Sequence, residues 1–179
     1  MYKHCTTEES VHRQRQLELC LMGLMREVSY SHITIGDICQ QAGISRKSFY
    51  RYFGSKEDCL CALVDHCIMD GASTYLPDLT GKNRSLAIYE RFFEYWKQLD
   101  PLLDALRKNE LNTFLAERML QYLNDEELAH MKHTGTLVHD TREYLVFVVS
   151  GILGLVFDWH RSGYQKSVSE MAAALAKIL

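Results

Sequence analysis

Only two prolines, Pro77 and Pro101, and ten glycines interrupt the 179 residues of this chain. A β-rich fold turns every few residues and would carry many more such breakers. Between them, apolar residues recur at steps of three and four, the spacing of one helix face. Leu17, Leu21, Leu24, Met25 and Val28 follow that spacing, as do Leu86, Tyr89, Phe93 and Trp96. The expectation is an all-α protein. Apolar residues make up 47% and charged residues 24%, which suits a globular chain and excludes a disordered or fibrous one.

Cap and stop signals divide the chain further. Thr6 with Glu9 predicts a capping box for a helix over 7–29. Residues 29–35 read as a connector. Thr34 with Asp37 opens a helix to Ala42, a turn follows at Gly43-Ile44, and Ser45 caps a second helix over 45–53. Gly43 is expected where a β-carbon would crowd the turn. Gly54 is expected to end the second helix in the left-handed conformation. Ser55 with Asp58 opens a helix that fades near Gly71. Gly71, Pro77, Gly81 and Asn83 mark the expected boundary, so that 1–70 and 71–179 form two domains. Beyond it, helices are predicted over 84–99, 101–108, 110–123, 137–162 and 168–179. Gly163 stops the fourth of these, and Ser167 with Glu170 caps the last.

Several function classes drop out. The net charge is −3, so the whole chain is not a basic nucleic-acid or membrane binder. The polar start lacks a secretory signal. The apolar run 144–157 contains Ser150, Gly151 and Gly154 and falls short of the roughly 20 residues of a membrane span. A buried helix, a cytoplasmic location and no membrane partner are expected. All six cysteines lie within the first 67 residues and read as free thiols. Cys59 and Cys61 would stand about 200° apart on a helix, a poor chelate, so Cys59, Cys61 and Cys67 are read as buried, unreactive thiols. His130, His133 and His139, with Asp125, Glu126 and Glu127 nearby, have zinc-like spacing but read more simply as a solvated loop. No metal and no cofactor are expected. His-Glu-x-x-His, a phosphate-cradling glycine loop and Gly-x-Ser-x-Gly are all missing from the sequence, so no enzyme is expected.

The segment 34–56, TIGDICQQAGISRKSFYRYFGSK, carries the chemistry. Ile35, Ile38, Ala42, Ile44, Phe49 and Phe53 supply a small core beneath two short helices. The second helix then presents Arg46, Lys47, Ser48, Tyr50 and Arg51. That is the pattern of a helix-turn-helix, whose second helix enters the major groove. Arg46 and Lys47 suit guanine O6 and N7, and Ser48 a base edge or phosphate. Tyr50 suits a phosphate oxygen. Thr34, Ser45 and Lys56 sit at helix starts, where free N–H groups favour phosphate. Residues 1–58 hold eight basic and seven acidic side chains, while 59–179 hold twelve and sixteen. Arg46, Lys47, Arg51 and Lys56 fall in a stretch without an acidic residue, a local basic footprint.

These residues closely resemble the tetracycline-repressor (TetR) family of bacterial regulators. The likeness lies in Thr34, Ala42-Gly43-Ile44-Ser45, Tyr50-Arg51-Tyr52-Phe53 and Ser55-Lys56-Glu57, and covers roughly 10–68. Cys39 and Cys59 depart from the usual alanine and leucine. The resemblance implies about nine helices and a homodimer on a near-palindromic operator, paired through 137–162 and 168–179. Ser150, Gly151 and Gly154 would permit close helix approach there. It also implies a pocket for a small apolar or aromatic effector, for which Tyr89, Phe93, Trp96, Phe114, Tyr122 and Phe147 are candidates, although ordinary core packing explains the same spacing. The functional expectation is a ligand-responsive repressor. The short C-terminal part keeps a second possibility open, a co-activator or docking subunit with little DNA binding of its own.

Overall fold

The computed structural model describes residues 2–3, 5–75, 84–123 and 142–179. Among them are nine α-helices: α1 Glu8–Glu27, α2 Ile35–Ala42, α3 Arg46–Phe49, α4 Lys56–Tyr75, α5 Arg84–Gln98, α6 Asp100–Lys108, α7 Asn112–Tyr122, α8 Arg142–Arg161 and α9 Val168–Leu175. A 3-10 turn covers Tyr30–His32, and no strand occurs among the described residues. The all-α expectation holds. The predicted boundary 71–83 is partly helical, because α4 continues through Tyr75. His130, His133 and His139, read as a solvated loop, and the start of the 137–162 helix lie outside the described residues.

Two compact units emerge. One comprises Met1–Cys67 with Pro101–Leu111, and the other Ile68–Asp100 with Asn112–Leu179. The segment 101–111 thus groups with the N-terminal residues, and hydrogen bonds explain why. Asn109 donates to the main-chain oxygens of Met25 and Ala105 at 2.9 and 2.7 Å and accepts from the Tyr30 N–H. Lys108 donates to Arg26 O at 2.8 Å. A helix end leaves carbonyls without partners, and at α1 these two side chains supply some.

In the first unit, α1 packs on α2 and α2 on α3. Leu17, Leu21, Met25, Ile38, Phe49, Phe53 and Cys59 are buried, while Ile35 and Ile44 are half-buried. The cap of α1 is Thr7, accepting from Ser10 N, and not Thr6. In the second unit, α5 packs on α8 and α9, and α7 on α8. Phe93 stands edge-on to Trp159 at 5.5 Å. Gly163 ends α8 with φ +70, and the capping box of Ser167 and Glu170 starts α9 as expected.

The run 144–157 is part of a longer helix than its apolar stretch suggests. By length and composition, α8 suffices to cross a membrane. One face, Leu145, Val149, Leu153, Val156 and Trp159, is core of the second unit. The other face carries Phe147, Ser150, Gly151 and Gly154 and is exposed.

Two glycines do jobs other than those expected. Gly43 is not crowded: a β-carbon there would meet nothing within 4 Å. Its requirement is conformational, φ 64 and ψ 34, which side chains resist. Gly54 is not left-handed. A β-carbon there would come 3.0 Å from Asp58 Oδ2, and its N–H donates to that oxygen at 3.1 Å. Gly43→Ala is expected to cost about 1 kcal/mol, readable as a lowered melting temperature.

Candidate nucleic-acid interface

The helix-turn-helix is built from reciprocal caps. Asp37 N donates to Thr34 Oγ1 at 3.2 Å, and Asp37 Oδ2 accepts from Thr34 N and Thr34 Oγ1, both at 2.8 Å. This box starts α2. Those bonds, with Arg46 nearby, hold the Asp37 carboxyl below its ordinary value. Its contribution to stability is thus complete above the usual carboxylate pKa of 3.8 and is lost as pH falls through the lowered folded-state value. Acid titrations of the parent and Asp37→Ala should differ near neutrality and converge at the acid end.

At the other end of α2, Gly43 N donates to Gln40 O at 3.2 Å and Ile44 N to Cys39 O at 3.0 Å. This pair of bonds closes a helix through a left-handed residue. Ser45 then caps α3 by accepting from Ser48 N. The second helix is shorter than its predicted span: α3 ends at Phe49, and 50–52 continue as turn. Arg51 N donating to Ser48 O and Tyr52 N to Phe49 O are the tighter three-residue bonds of such a turn.

Burial separates two sides of this element. Phe49 and Phe53 are buried with ring centroids 5.4 Å apart. Thr34, Ser45, Arg46, Lys47, Tyr50 and Arg51 are exposed and Ser48 half-buried. Tyr50 keeps 53% of its surface and leans edge-on against Phe49. Arg51 Nη2 lies 3.4 Å from Ser48 Oγ, which also accepts from Ser45 Oγ at 3.2 Å. A row of donors therefore faces solvent on a clamped base.

Lys56 is placed differently. Its Nζ donates to Tyr30 O at 2.6 Å and Ile33 O at 2.8 Å and sits 4.2 Å from the Tyr30 ring centre. The ammonium ties α4 to the 30–33 segment. Tyr30 was not singled out by any sequence motif. Its phenol is driven upward in pKa by burial and by Glu57, which keeps it neutral beside that carboxylate.

The six effector candidates do not share one setting. Phe93 and Trp96 are completely buried, and Phe147 is 71% exposed. Tyr89, Phe114 and Tyr122 are half-buried. Helical spacing places residues on a face but does not say which face meets the core, and Phe147 is on the outer one. Trp96 Nε1 is buried without an acceptor. Among the cysteines, Cys39 and Cys59 are buried, and Cys5, Cys20, Cys61 and Cys67 only half so. Burial raises the pKa of the Cys20, Cys39 and Cys59 thiols, which slows thiolate chemistry. Among the described residues, no group of three or more His, Cys, Asp or Glu converges as a metal site.

A capped helix pair with a small core and a solvent-facing row of basic and hydroxyl side chains defines a helix-turn-helix DNA-binding protein. The sequence agrees at the level of family. Residues 22–63 match the bacterial regulatory proteins of the tetR family, and residues 83–179 match a transcriptional regulator C-terminal region. The chain belongs to the tetR family of DNA-binding transcriptional regulators. No curated protein sequence matches it. Solved structures share its fold. A protein from Syntrophomonas wolfei assigned to the TetR-family regulators has 17% identity and TM-score 0.68, covering 94% of this chain and 93% of its own. The fatty acid degradation regulator FadR from Bacillus halodurans has 18% identity and TM-score 0.63, covering 98% and 96%. The dihydroxyacetone kinase operon activator DhaS has 16% identity and TM-score 0.57, covering 94% of each chain.

Proposed function

We propose that this chain is a dimeric, effector-responsive repressor that binds a near-palindromic operator in the cytoplasm. The observation that carries the reading is the exposed row Arg46, Lys47, Tyr50 and Arg51 on a helix pair whose apolar residues are buried. Arg46 and Lys47 read base edges in the major groove. Thr34, Ser45, Ser48, Tyr50, Arg51 and the Lys56 N–H position the phosphate backbone. Residues 1–70 carry the DNA contacts, and 71–179 carry effector binding and dimerisation, apart from the segment 101–111. The effector sits among Tyr89, Phe93, Trp96, Phe114 and Tyr122. The unpartnered Trp96 Nε1 favours an apolar molecule bearing one hydrogen-bond acceptor, since an unmet buried donor is costly. Effector binding shifts the equilibrium between two arrangements through α4, by as much as its affinities for them differ.

Anisotropy of labelled duplex DNA, titrated with the full chain at several salt concentrations, tests this. Sequence-selective binding with log K falling linearly in log salt is expected. Arg46→Ala should relax preference at one base position by about 1–3 kcal/mol. Tyr50→Phe should weaken all duplexes alike. Binding that ignores sequence would favour the docking reading.

A further inference from the structure

Gly36 stands in the first turn of α2, and its φ lies outside the left-handed region. The backbone there would accept any L-residue, so conformation does not call for glycine. Space does. A β-carbon at Gly36 would lie 2.7 Å from Arg46 Nη2, 3.6 Å from Arg46 Cζ and 3.3 Å from Thr34 Oγ1. The Arg46 guanidinium therefore rests against the first turn of α2, although the residue belongs to α3 and remains exposed. Asp37, the next residue, keeps its carboxylate on the Thr34 cap and provides the negative charge beside that cation.

We propose that Gly36 is a positioning residue for sequence reading, because its missing side chain provides the seat on which Arg46 is held before DNA arrives. The proposal rests on the reading above, in which Arg46 contacts a base. A long side chain loses rotamer freedom when a contact fixes it, and holding it beforehand reduces that loss. Direction matters as well. The planar fork of arginine meets guanine O6 and N7 together only when correctly aimed. With alanine at 36, the flexible end of Arg46 is the group that gives way. The helix itself gains, since alanine is a better helix former than glycine.

The test starts by selecting the full chain against a library of random duplexes. The enriched duplex and its single-base variants then serve as anisotropy probes. Arg46→Ala should lose about tenfold preference at one base pair per half-site. Gly36→Ala should lose most of that same preference at the same base pair, with an unchanged or raised melting temperature. The double variant should be no worse than Arg46→Ala alone. Unaltered discrimination in Gly36→Ala, an equal further loss when Arg46 is already alanine, or unfolding of Gly36→Ala would each overturn the positioning role. Those results differ from failure of the underlying reading. In that case no duplex is enriched, or Arg46→Ala leaves every base preference intact, and the positioning role falls with it.

Discussion

Replacing His66 with alanine should destabilise the N-terminal unit by about 3 kcal/mol, near the upper end of what leaving a buried polar group without its hydrogen-bond partner costs. The Glu18 side chain is completely buried. Its two oxygens lie 3.0 and 2.9 Å from His66 Nδ1, so a proton on that nitrogen is shared by both. The pair joins α1 to α4. Alanine at 66 leaves a carboxylate out of water without this donor. Arg15 Nη1, 3.5 Å from Glu18 Oε2, remains and keeps the loss within that range. A chain of 179 residues shifts its melting temperature by roughly 2–4 °C per kcal/mol, so a drop of more than about 5 °C in a circular-dichroism melt is expected. Replacing both partners by apolar residues, Glu18→Leu with His66→Leu, should recover much of the stability, because no buried polar group is then left unsatisfied. A melting temperature within a few degrees of the parent in His66→Ala would show that the pair contributes little.

That pair was not legible in the sequence, and the reason is general here. Local chemistry could be read directly. The caps at Thr34, Ser45 and Ser167 and the left-handed stop at Gly163 depend only on residues within a few positions of one another. Interactions across the chain left no comparable mark. Nothing near Glu18 announces that His66, 48 residues on, will meet it, and nothing near Asn109 announces Met25. Lys56 was read from its place at a helix start, and the bonds of its ammonium to the Tyr30 and Ile33 carbonyls left no local mark. Glycine was the subtler case. Its presence at 43 and 54 pointed correctly to turns, but conformation at one and space at the other were exchanged. Nothing in the sequence marks Gly36, whose significance comes from Arg46 of the next helix lying against it. Of the candidate site, the exposed reading row could be inferred from the alternation of apolar and basic residues. The support beneath it could not.

On the proposed dimeric reading, Phe147→Glu should give a monomer and cost at least about a hundredfold in affinity for a two-half-site duplex, the scale at which linked binding events reinforce one another. Phe147 is 71% exposed and Val146 41%. Along the same outer face of α8 run Ser150, Gly151 and Gly154, also exposed, and a β-carbon on either glycine would meet nothing within 4 Å. A phenylalanine beside two glycines on an unfilled face suits a second helix packing closely, since small residues let backbones approach. A twofold-symmetric pairing would bring the same patch of each chain together. A carboxylate at 147 would then be buried against its own copy, where like charges repel in a dry setting. Phe147 is not part of its own chain's core, so helicity should be retained. Analytical ultracentrifugation at micromolar concentration reads the oligomeric state, and anisotropy on full and half-site duplexes reads the consequence. Loss of the dimer together with loss of the preference for two half-sites over one is the expected result. A variant that still sediments as a dimer would place the interface elsewhere. A monomeric variant with undiminished affinity for the full duplex would show that the two half-sites are not bound as a linked pair.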